Sequence, residues 1–291
     1  MRDEFGDRMK EYEARETQRT LLPMLPVAVR IDGRAFHTFT KGFKKPFDQS
    51  LSEMFRYATK VLVKETGAVI GYTQSDEISL ILYQEDPKSE LFFDGKIYKL
   101  TSVLASIATA AFNKMWLTYL VDHQSEIDDK VWQLATFDCR VWQLPTKWEA
   151  VNMLLWREKD ARRNSISSAA QSVYSASQLH GKTSNQQQEM LFKAGINWDD
   201  YPKWAKTGTF YRRRQVEREL TPTELEGIPE EHRPAPGVKV IRSEIVEWPY
   251  ELGKVRNKVE AIFDDALPVL YAEGDNSNLS VNHDNTASAV S

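Results

Sequence analysis

The sequence predicts an α+β fold in which a ferredoxin-like βαββαβ unit is followed by a C-terminal extension. Residues 27–33, 68–83 and 135–144 alternate apolar and polar side chains, as half-buried strands do. Residues 51–62 and 103–120 instead repeat apolar side chains every three to four positions, which is the spacing of a helix. The resulting order of strand, helix, hairpin, helix and strand is that of the ferredoxin-like fold, and also of the palm of many nucleotide polymerases.

The first unit, residues 1–22, is predicted to be a charged helix or arm. Phe5, Met9 and Tyr12 have helical spacing, which indicates a helix lying on a surface such as that of a partner subunit. A mobile N-terminal arm is the alternative. The prolines that follow, at positions 23 and 26, favour extended backbone and lead into the first strand.

The palm unit is predicted to span residues 23–145. Its first helix is expected to begin at a capping box, Ser50 to Glu53, and to end at Gly67. The central hairpin is expected to turn at residues 73–76, and residues 122–130 are predicted to be a polar loop.

Residues 146–271 form the predicted C-terminal extension. A second capping box, Thr146 to Glu149, should start a helix that runs through a basic stretch. The polar residues 165–188 are compatible with a helix broken at Gly181. An alternating strand that ends in three arginines should follow, and then a strand at 238–246 and a helix at 252–266. Residues 272–291 have almost no apolar content and are predicted to be a disordered tail.

Composition excludes several classes of protein. The net charge of −4 gives no overall basic field, so any contact with nucleic acid must come from local basic patches. A single cysteine, Cys139, excludes an internal disulfide framework and fits a reducing compartment. The charged N-terminus is not a signal peptide, and the longest apolar-rich stretch contains too many polar residues to cross a membrane. A cytoplasmic protein is expected.

Carboxylates stand at two predicted strand ends. Asp32 and Gly33 end the first strand, and Asp76 and Glu77 stand at the turn of the hairpin. A ferredoxin-like sheet makes these two places neighbours. Mg²⁺ prefers hard oxygen ligands and takes one or two protein carboxylates together with phosphates and water. The pattern therefore indicates a site for two magnesium ions and a nucleoside triphosphate, where Gly33 allows close approach of the backbone.

Local basic groups supply the candidate phosphate contacts. Lys45 lies in a basic loop, residues 41–46, one loop away from the first carboxylate strand end. The other candidates are Arg140, Arg157, Arg162, Arg163, Lys182, Arg212, Arg213 and Arg214. A solvated turn for the loop, and a solvated sheet edge for the arginine strand, stay open as alternatives.

Four motifs carry a resemblance to a known family. They are RIDGRAFH at 30–37, Lys45-Pro46 with Asp48, QSDE at 74–77 and FDCR at 137–140, with weaker matches at 156–160 and 206–209. In this order they resemble the tRNA(His) guanylyltransferase family and its bacterial, archaeal and phage Thg1-like relatives.

The resemblance implies an enzyme that adds nucleotides to the 5′ end of tRNA, in the direction opposite to ordinary polymerases. It implies that Asp32, the Gly33 carbonyl and Asp76 hold two Mg²⁺ ions, that Glu77 supports the metals, and that Lys45 lies on the phosphates. The substrates would be ATP and GTP or another nucleoside triphosphate, and the assembly a homotetramer. The implied nucleotide contacts are Asp32, Gly33, Arg34, Ala35, Phe36, His37, Ser75 and Asp76.

One segment departs from the family pattern. Residues 162–168 read RRNSISS where the eukaryotic enzymes carry HINNLYN. This favours template-dependent repair of tRNA 5′ ends over strict tRNA(His) guanylylation, which is the alternative. A diguanylate-cyclase-like enzyme is more remote, because Gln74 and Ser75 replace the paired glycines of that hairpin. A non-catalytic RNA-binding module is also remote, because acids at the strand ends would repel RNA phosphate.

Overall fold

The computed structural model describes residues 3–122 and 133–272, and its centre is a six-stranded sheet. The strands follow the order β4-β1-β3-β2-β5-β6, and each neighbouring pair is antiparallel. Their bounds are β1 (Val27–Gly33), β2 (Ile70–Gln74), β3 (Glu77–Leu82), β4 (Phe137–Gln143), β5 (Thr209–Arg218) and β6 (Val240–Trp248). The first four strands have the ferredoxin-like order, so the predicted fold class is confirmed.

Helices cover both faces of this sheet. The helices are α1 (Glu4–Thr17), α2 (Phe36–Phe39), α3 (Gln49–Thr66), α4 (Ile97–Asp122), α5 (Lys147–Gln171), α6 (Ala176–Leu179), α7 (Ser184–Lys193), α8 (Lys203–Lys206), α9 (Pro222–Glu226) and α10 (Lys258–Phe263). One face packs on α3 and α4, and the other packs on α5 and α10. A third apolar cluster lies between α5 and α7. No helix in the described residues is both long and apolar enough to cross a membrane.

The alternation along β1 decides which side chains reach the site. Val27, Val29 and Ile31 are fully buried in the core with α3 and α4. Because side chains alternate, Arg30 and Asp32 lie on the face that packs on α5. A register slip of one residue would turn Arg30 and Asp32 into the apolar core with α3 and α4, so the burial pattern fixes the position of Asp32.

The predicted helix starts were right in one case and wrong in the other. Helix α3 is capped by Asp48, two residues before the predicted Ser50, because Asp48 Oδ1 already accepts a bond from the amide of Leu51 at 3.0 Å. It ends at Gly67, as predicted, with φ of 67°. Helix α5 begins as predicted, where the Thr146 hydroxyl accepts from the amide of Glu149 at 3.2 Å.

The C-terminal extension differs from the prediction in three places. Strand β5 continues past the three arginines to Arg218, because β6 pairs with it along that length. The last helix, α10, is shorter than the predicted 252–266 and follows a 3-10 turn at Leu252–Lys254. The polar run 165–188 is divided among α5, α6 and α7, with the predicted break at Gly181, where φ is 71°, and a second break between α5 and α6 that was not predicted.

At the N-terminus, the helix predicted from the helical spacing is present as α1. Helix α1 has no buried residue, and the side chains of Phe5, Met9 and Tyr12 are 65%, 40% and 54% exposed. The prediction of a disordered tail concerns residues beyond 272, which lie outside the described part of the chain. Most of the predicted loop at 122–130 lies outside it as well.

Candidate active site

The ends of three strands bring the predicted carboxylates together. Asp32 on β1 stands in register with Glu77 on β3 on one side and with Asp138 on β4 on the other. The amide of Gly33 donates to the carbonyl oxygen of Asp76 at 3.0 Å, which ties the end of β1 to the hairpin turn. Asp138 is the acidic neighbour that sequence reasoning missed, although its place in FDCR at the start of β4 was a usable signal.

Asp32 and Asp76 repel each other electrostatically. Burial raises the pKa of the Asp76 carboxyl, and the negative charge of Asp32 raises it further. A cation between the two would relieve this repulsion. Two hard carboxylates at a solvent-accessible strand end fit Mg²⁺, which completes its coordination with phosphate and water. The residues present therefore fit the metal that the sequence predicted.

Glu77 is held by a buried arginine. Arg157 Nε lies 2.7 Å from Glu77 Oε1 and Arg157 Nη2 lies 2.7 Å from Glu77 Oε2, in a bidentate pair. Burial raises the pKa of Glu77, and the charge and hydrogen bonds of Arg157 oppose that rise. Both carboxylate oxygens are engaged, so Glu77 is a buried support beside Asp32. The prediction that Arg157 contacts RNA phosphate is wrong, because this residue is only 6% exposed.

The segment after β1 combines one buried aromatic ring with three exposed residues. The ring of Phe36 is buried against Phe39, Phe55, Phe112 and Phe137. Its predicted contact with a nucleotide can therefore come only from its main chain. A Cβ atom at Gly33 would lie 2.2 Å from the Phe36 ring, so this position requires glycine. Arg34, Ala35 and His37 are exposed above the strand end.

A cleft of about 130 Å³ adjoins the hairpin turn. Its walls come from the hairpin, the start of α3, one stripe of α5, and α8. Its lining includes Pro46, Phe47, Asp48, Leu51, Ser52, Phe55, Thr73, Gln74, Ser75, Ala161, Asn164, Ser165, Ser168, Trp204, Ala205 and Thr209. Lys45 is exposed beside Pro46 and has no ion pair among the described residues. The cleft thus lies between the predicted phosphate contact and the carboxylates.

The segment that departs from the family pattern forms part of this cleft. Asn164, Ser165 and Ser168 line it. Arg162 instead pairs with Glu251 at 3.0 Å, and Arg163 pairs with Asp160 at 2.7 Å. Sequence reasoning missed the aromatic wall made by Phe47 and Trp204, whose ring centroids are 6.4 Å apart.

The remaining basic candidates have different surroundings. Arg212 is 4% exposed and donates to the Ala261 carbonyl and to Asp265, so its predicted contact with phosphate is wrong. Arg213 is exposed and donates to the carbonyl oxygen of Lys64 at 2.9 Å. Arg214 is partly buried, and Arg140 and Lys182 are exposed. Arg214, Arg140 and Lys182 therefore remain candidates for contact with a ligand.

The palm-like sheet, the tied carboxylates and the adjoining cleft define a nucleotidyltransferase. The family model for tRNAHis guanylyltransferase (Thg1) matches residues 6–145. A bacterial Thg1-like protein solved with ATP is 40% identical, with a TM-score of 0.65, over 72% of this chain and 88% of that one. A bacterial Thg1-like protein solved with GTP is 34% identical, with a TM-score of 0.65, over 84% of this chain and 91% of that one.

Among curated proteins, the tRNA(His) guanylyltransferase of Schizosaccharomyces pombe is 29% identical over 225 residues, which are 72% of this chain and 81% of that protein. The chain belongs to the tRNA(His) guanylyltransferase family, as the motifs predicted.

Proposed function

We propose that this enzyme adds nucleotides to the 5′ end of tRNA in a template-dependent repair reaction. The observation that carries the proposal is the arrangement of Asp32 and Asp76, whose backbones are joined at adjoining strand ends beside a cleft lined by aromatic and small polar side chains. The 3′-hydroxyl of an incoming nucleotide would attack the 5′-terminal phosphorus of the RNA. Pyrophosphate would leave from an end that bears a triphosphate, and AMP would leave from an end that has been activated with ATP.

In this proposal Asp32, the Gly33 carbonyl and Asp76 would hold two Mg²⁺ ions. Two such ions, when bound, stabilise the attacking and the leaving oxygen of an in-line displacement. The protein contributes the fixed spacing of the carboxylates, because the bond from the Gly33 amide to the Asp76 carbonyl joins their backbones. Glu77 supports the metal site indirectly. Its ion pair with Arg157 is rigid and places no unpaired negative charge beside Asp32.

The nucleotide would lie along residues 33–37, of which Arg34, Ala35 and His37 are exposed, and across Ser75, with Lys45 on its phosphates. Its base would enter the cleft. The carboxylate of Asp48, which is the one acidic side chain in the described wall, already accepts from the amides of Lys44 and Leu51. Neutral side chains such as Gln74 and Asn164 line the cleft. In this proposal base pairing with the opposite strand, and not these side chains, selects the nucleotide.

The direct test uses tRNAs that lack their 5′ nucleotide. Four versions carry A, C, G or U at the opposing position, and each is offered all four nucleoside triphosphates separately. We expect the complementary nucleotide to be added in each case, and no addition by the Asp76→Asn variant. Guanine added regardless of the opposing base would replace this proposal with strict guanylylation.

We also propose a homotetramer. Helix α1 buries none of its residues within one chain, although it carries three exposed apolar side chains on one stripe. Contact with a second copy would cover that stripe. Light scattering at micromolar concentration should give the mass of four chains, and a monomer would refute the assembly.

A further inference from the structure

A tryptophan on α5 is exposed in an unusual setting. Trp156 is 49% exposed, although the next residue, Arg157, is buried. The Cζ atom of Arg157 lies 4.6 Å from the centroid of the Trp156 ring, and that of Arg30 lies 5.9 Å from it. Such distances give favourable cation–π contacts. Arg157 is itself fixed by Glu77 and Asp160, so the indole rests on a rigid support while half of its surface faces solvent.

The ring lies beside the catalytic carboxylates. Arg30 is two residues before Asp32 on the same face of β1, and its Nε is 3.9 Å from a Glu77 carboxylate oxygen. Contact with Arg30 therefore places Trp156 on the β1–β4 side of the site. The cleft lies on the β2–β5 side, where Gln74 and Thr209 line it. The carboxylates stand between the tryptophan and the cleft.

The two sides of the carboxylates can hold the two substrates. In an in-line displacement the attacking 3′-hydroxyl and the departing pyrophosphate or AMP lie on opposite sides of the phosphorus, and the RNA is joined to that phosphorus through a third oxygen. If the nucleotide fills the cleft, the side of β1 and β4 is open to the RNA end. An exposed aromatic ring there offers a surface on which a base can stack, whatever its identity.

The charges around the ring suit a nucleic acid. Arg140 on β4 stands in register with Arg30 and is exposed. Lys159 and Arg163 are exposed on α5, three and seven positions after Trp156, which places them on its side of the helix. Arg140 and Arg163 have ion pairs with Asp138 and Asp160. Lys159 has no ion pair among the described residues, so it is the cation most available to the phosphates beside a stacked base.

We propose that Trp156 is a stacking platform for the 5′-terminal base of the RNA that is being extended. It acts as a positioning residue, which holds the terminal nucleotide so that its phosphate faces Asp32 and Asp76. The proposal rests on the proposed function, because it takes an RNA 5′ end as the substrate. Beyond the proposed function, it names Trp156 as the group that holds the RNA 5′ end, and it names the β1–β4 side as the side from which the RNA approaches.

The experiment uses an RNA with 2-aminopurine at its 5′-terminal position, since the fluorescence of this base falls when it stacks. We expect quenching on binding to the wild-type enzyme, loss of quenching with Trp156→Ala, and retention of most of it with Trp156→Phe. The KM for RNA should rise by about 5- to 100-fold in Trp156→Ala, while the KM for the nucleoside triphosphate and the thermal midpoint stay unchanged. Phe192→Ala is the matched control, because Phe192 is a 72% exposed aromatic residue at the far end of α7.

Three outcomes decide the matter. Equal quenching in wild type and Trp156→Ala, with RNA still extended, overturns the platform alone. Quenching that appears only when the label is on the opposing strand also overturns it, since the ring would then contact the template base. A wild-type enzyme that extends no RNA overturns the proposed function instead, and the binding measurement needs no turnover to reveal stacking.

Discussion

The amide of Gly33 and the carbonyl oxygen of Asp76 are joined by a hydrogen bond of 3.0 Å. This bond joins the end of β1 to the turn between β2 and β3, which are the two places where the sequence puts an acid after an apolar strand. The backbones at Asp32 and Asp76 are therefore held next to each other without help from side-chain contacts. Because the backbone keeps the two carboxylates close together, they repel each other. This repulsion favours the binding of divalent cations.

Replacing either carboxylate should remove activity without unfolding the protein. Asp32→Asn or Asp76→Asn deletes a hard ligand, and we expect nucleotide addition to fall by at least roughly 1,000-fold. The thermal midpoint in the absence of Mg²⁺ should stay the same or rise, because each change removes one of two repelling charges. Asp86→Asn, in the loop after β3, is the control and should be active. Full activity of either site variant with Mg²⁺ as the only divalent ion would contradict the assignment.

Gly33 is expected to tolerate no side chain. A Cβ atom there would lie 2.2 Å from the Phe36 ring, which is wedged among buried aromatic residues and cannot move away. We expect Gly33→Ala to destabilise the fold by about 1–3 kcal/mol, as overpacking does, and to reduce activity. Gly227→Ala serves as control, because the nearest atom to its Cβ is 3.6 Å away. Urea unfolding of both variants makes the comparison, and equal stability would show that the ring yields.

The carboxylate site could be predicted from the sequence because each part of it is local. Alternation along β1 places Asp32 at a strand end, and the turn residues before Glu77 place Asp76. The support behind the site could not be predicted in this way. Arg157 stands in a basic helical stretch and looks like a phosphate contact, whereas its partner Glu77 is 80 positions away in the chain.

The errors in the extension have the same origin. Arg212 lies in a row of three arginines, yet it is buried under α10 because strand alternation turns it to the opposite face from Arg213. The cleft wall at Trp204 also depends on a distant contact, with Phe47. At the start of α3, both Asp48 and Ser50 are good caps, and the sequence does not say which of them acts first.

The pair of Glu77 and Arg157 should show strong energetic coupling. Arg157→Met leaves a buried carboxylate without its partner, and we expect a loss of about 3–5 kcal/mol in the free energy of unfolding. The double variant Glu77→Gln with Arg157→Met should be markedly more stable than Arg157→Met alone, since no buried charge is then unpaired. Denaturant unfolding of the two single variants and the double variant gives the coupling energy. Additive losses would show that the two side chains do not act as a pair.

Substitution of Lys45 should weaken nucleotide binding, whereas substitution of Lys44 should not. Lys45→Met removes a cation from the rim of the cleft, and we expect the KM for the nucleoside triphosphate to rise roughly 10- to 100-fold, the range for a charge-assisted hydrogen bond. Lys44→Met changes the same charge one residue away, and its KM should match that of the wild type. Steady-state kinetics with varied nucleotide decide the point. Equal effects of the two substitutions would indicate a general electrostatic attraction.

A second buried carboxylate, Glu158, links α5 to the C-terminal turn. Its two oxygens accept from the amides of Leu252 and Gly253, each at 2.7 Å. Burial raises the pKa of Glu158 to about 7, although these two bonds and the charge of Lys203 oppose the rise and Glu251 adds to it. Glu158 therefore changes protonation near neutral pH within the packing of α10 on α5.

The sign of the resulting pH dependence follows from proton binding. The pKa of Glu158 is about 7 in the folded protein, against 4.5 for an ordinary glutamate, so the folded state holds more protons between these values. Stability should therefore fall as pH rises from 4.5 through 7, by on the order of 3 kcal/mol, and stay level above that range. Glu158→Gln removes the titrating group. The difference in unfolding free energy between wild type and this variant, measured in urea at pH 5, 6, 7 and 8, should therefore shift against the wild type between pH 5 and 7 and change little between pH 7 and 8. Parallel curves for the two proteins would mean that Glu158 stays ionised over this range, its two amide bonds outweighing the cost of burial.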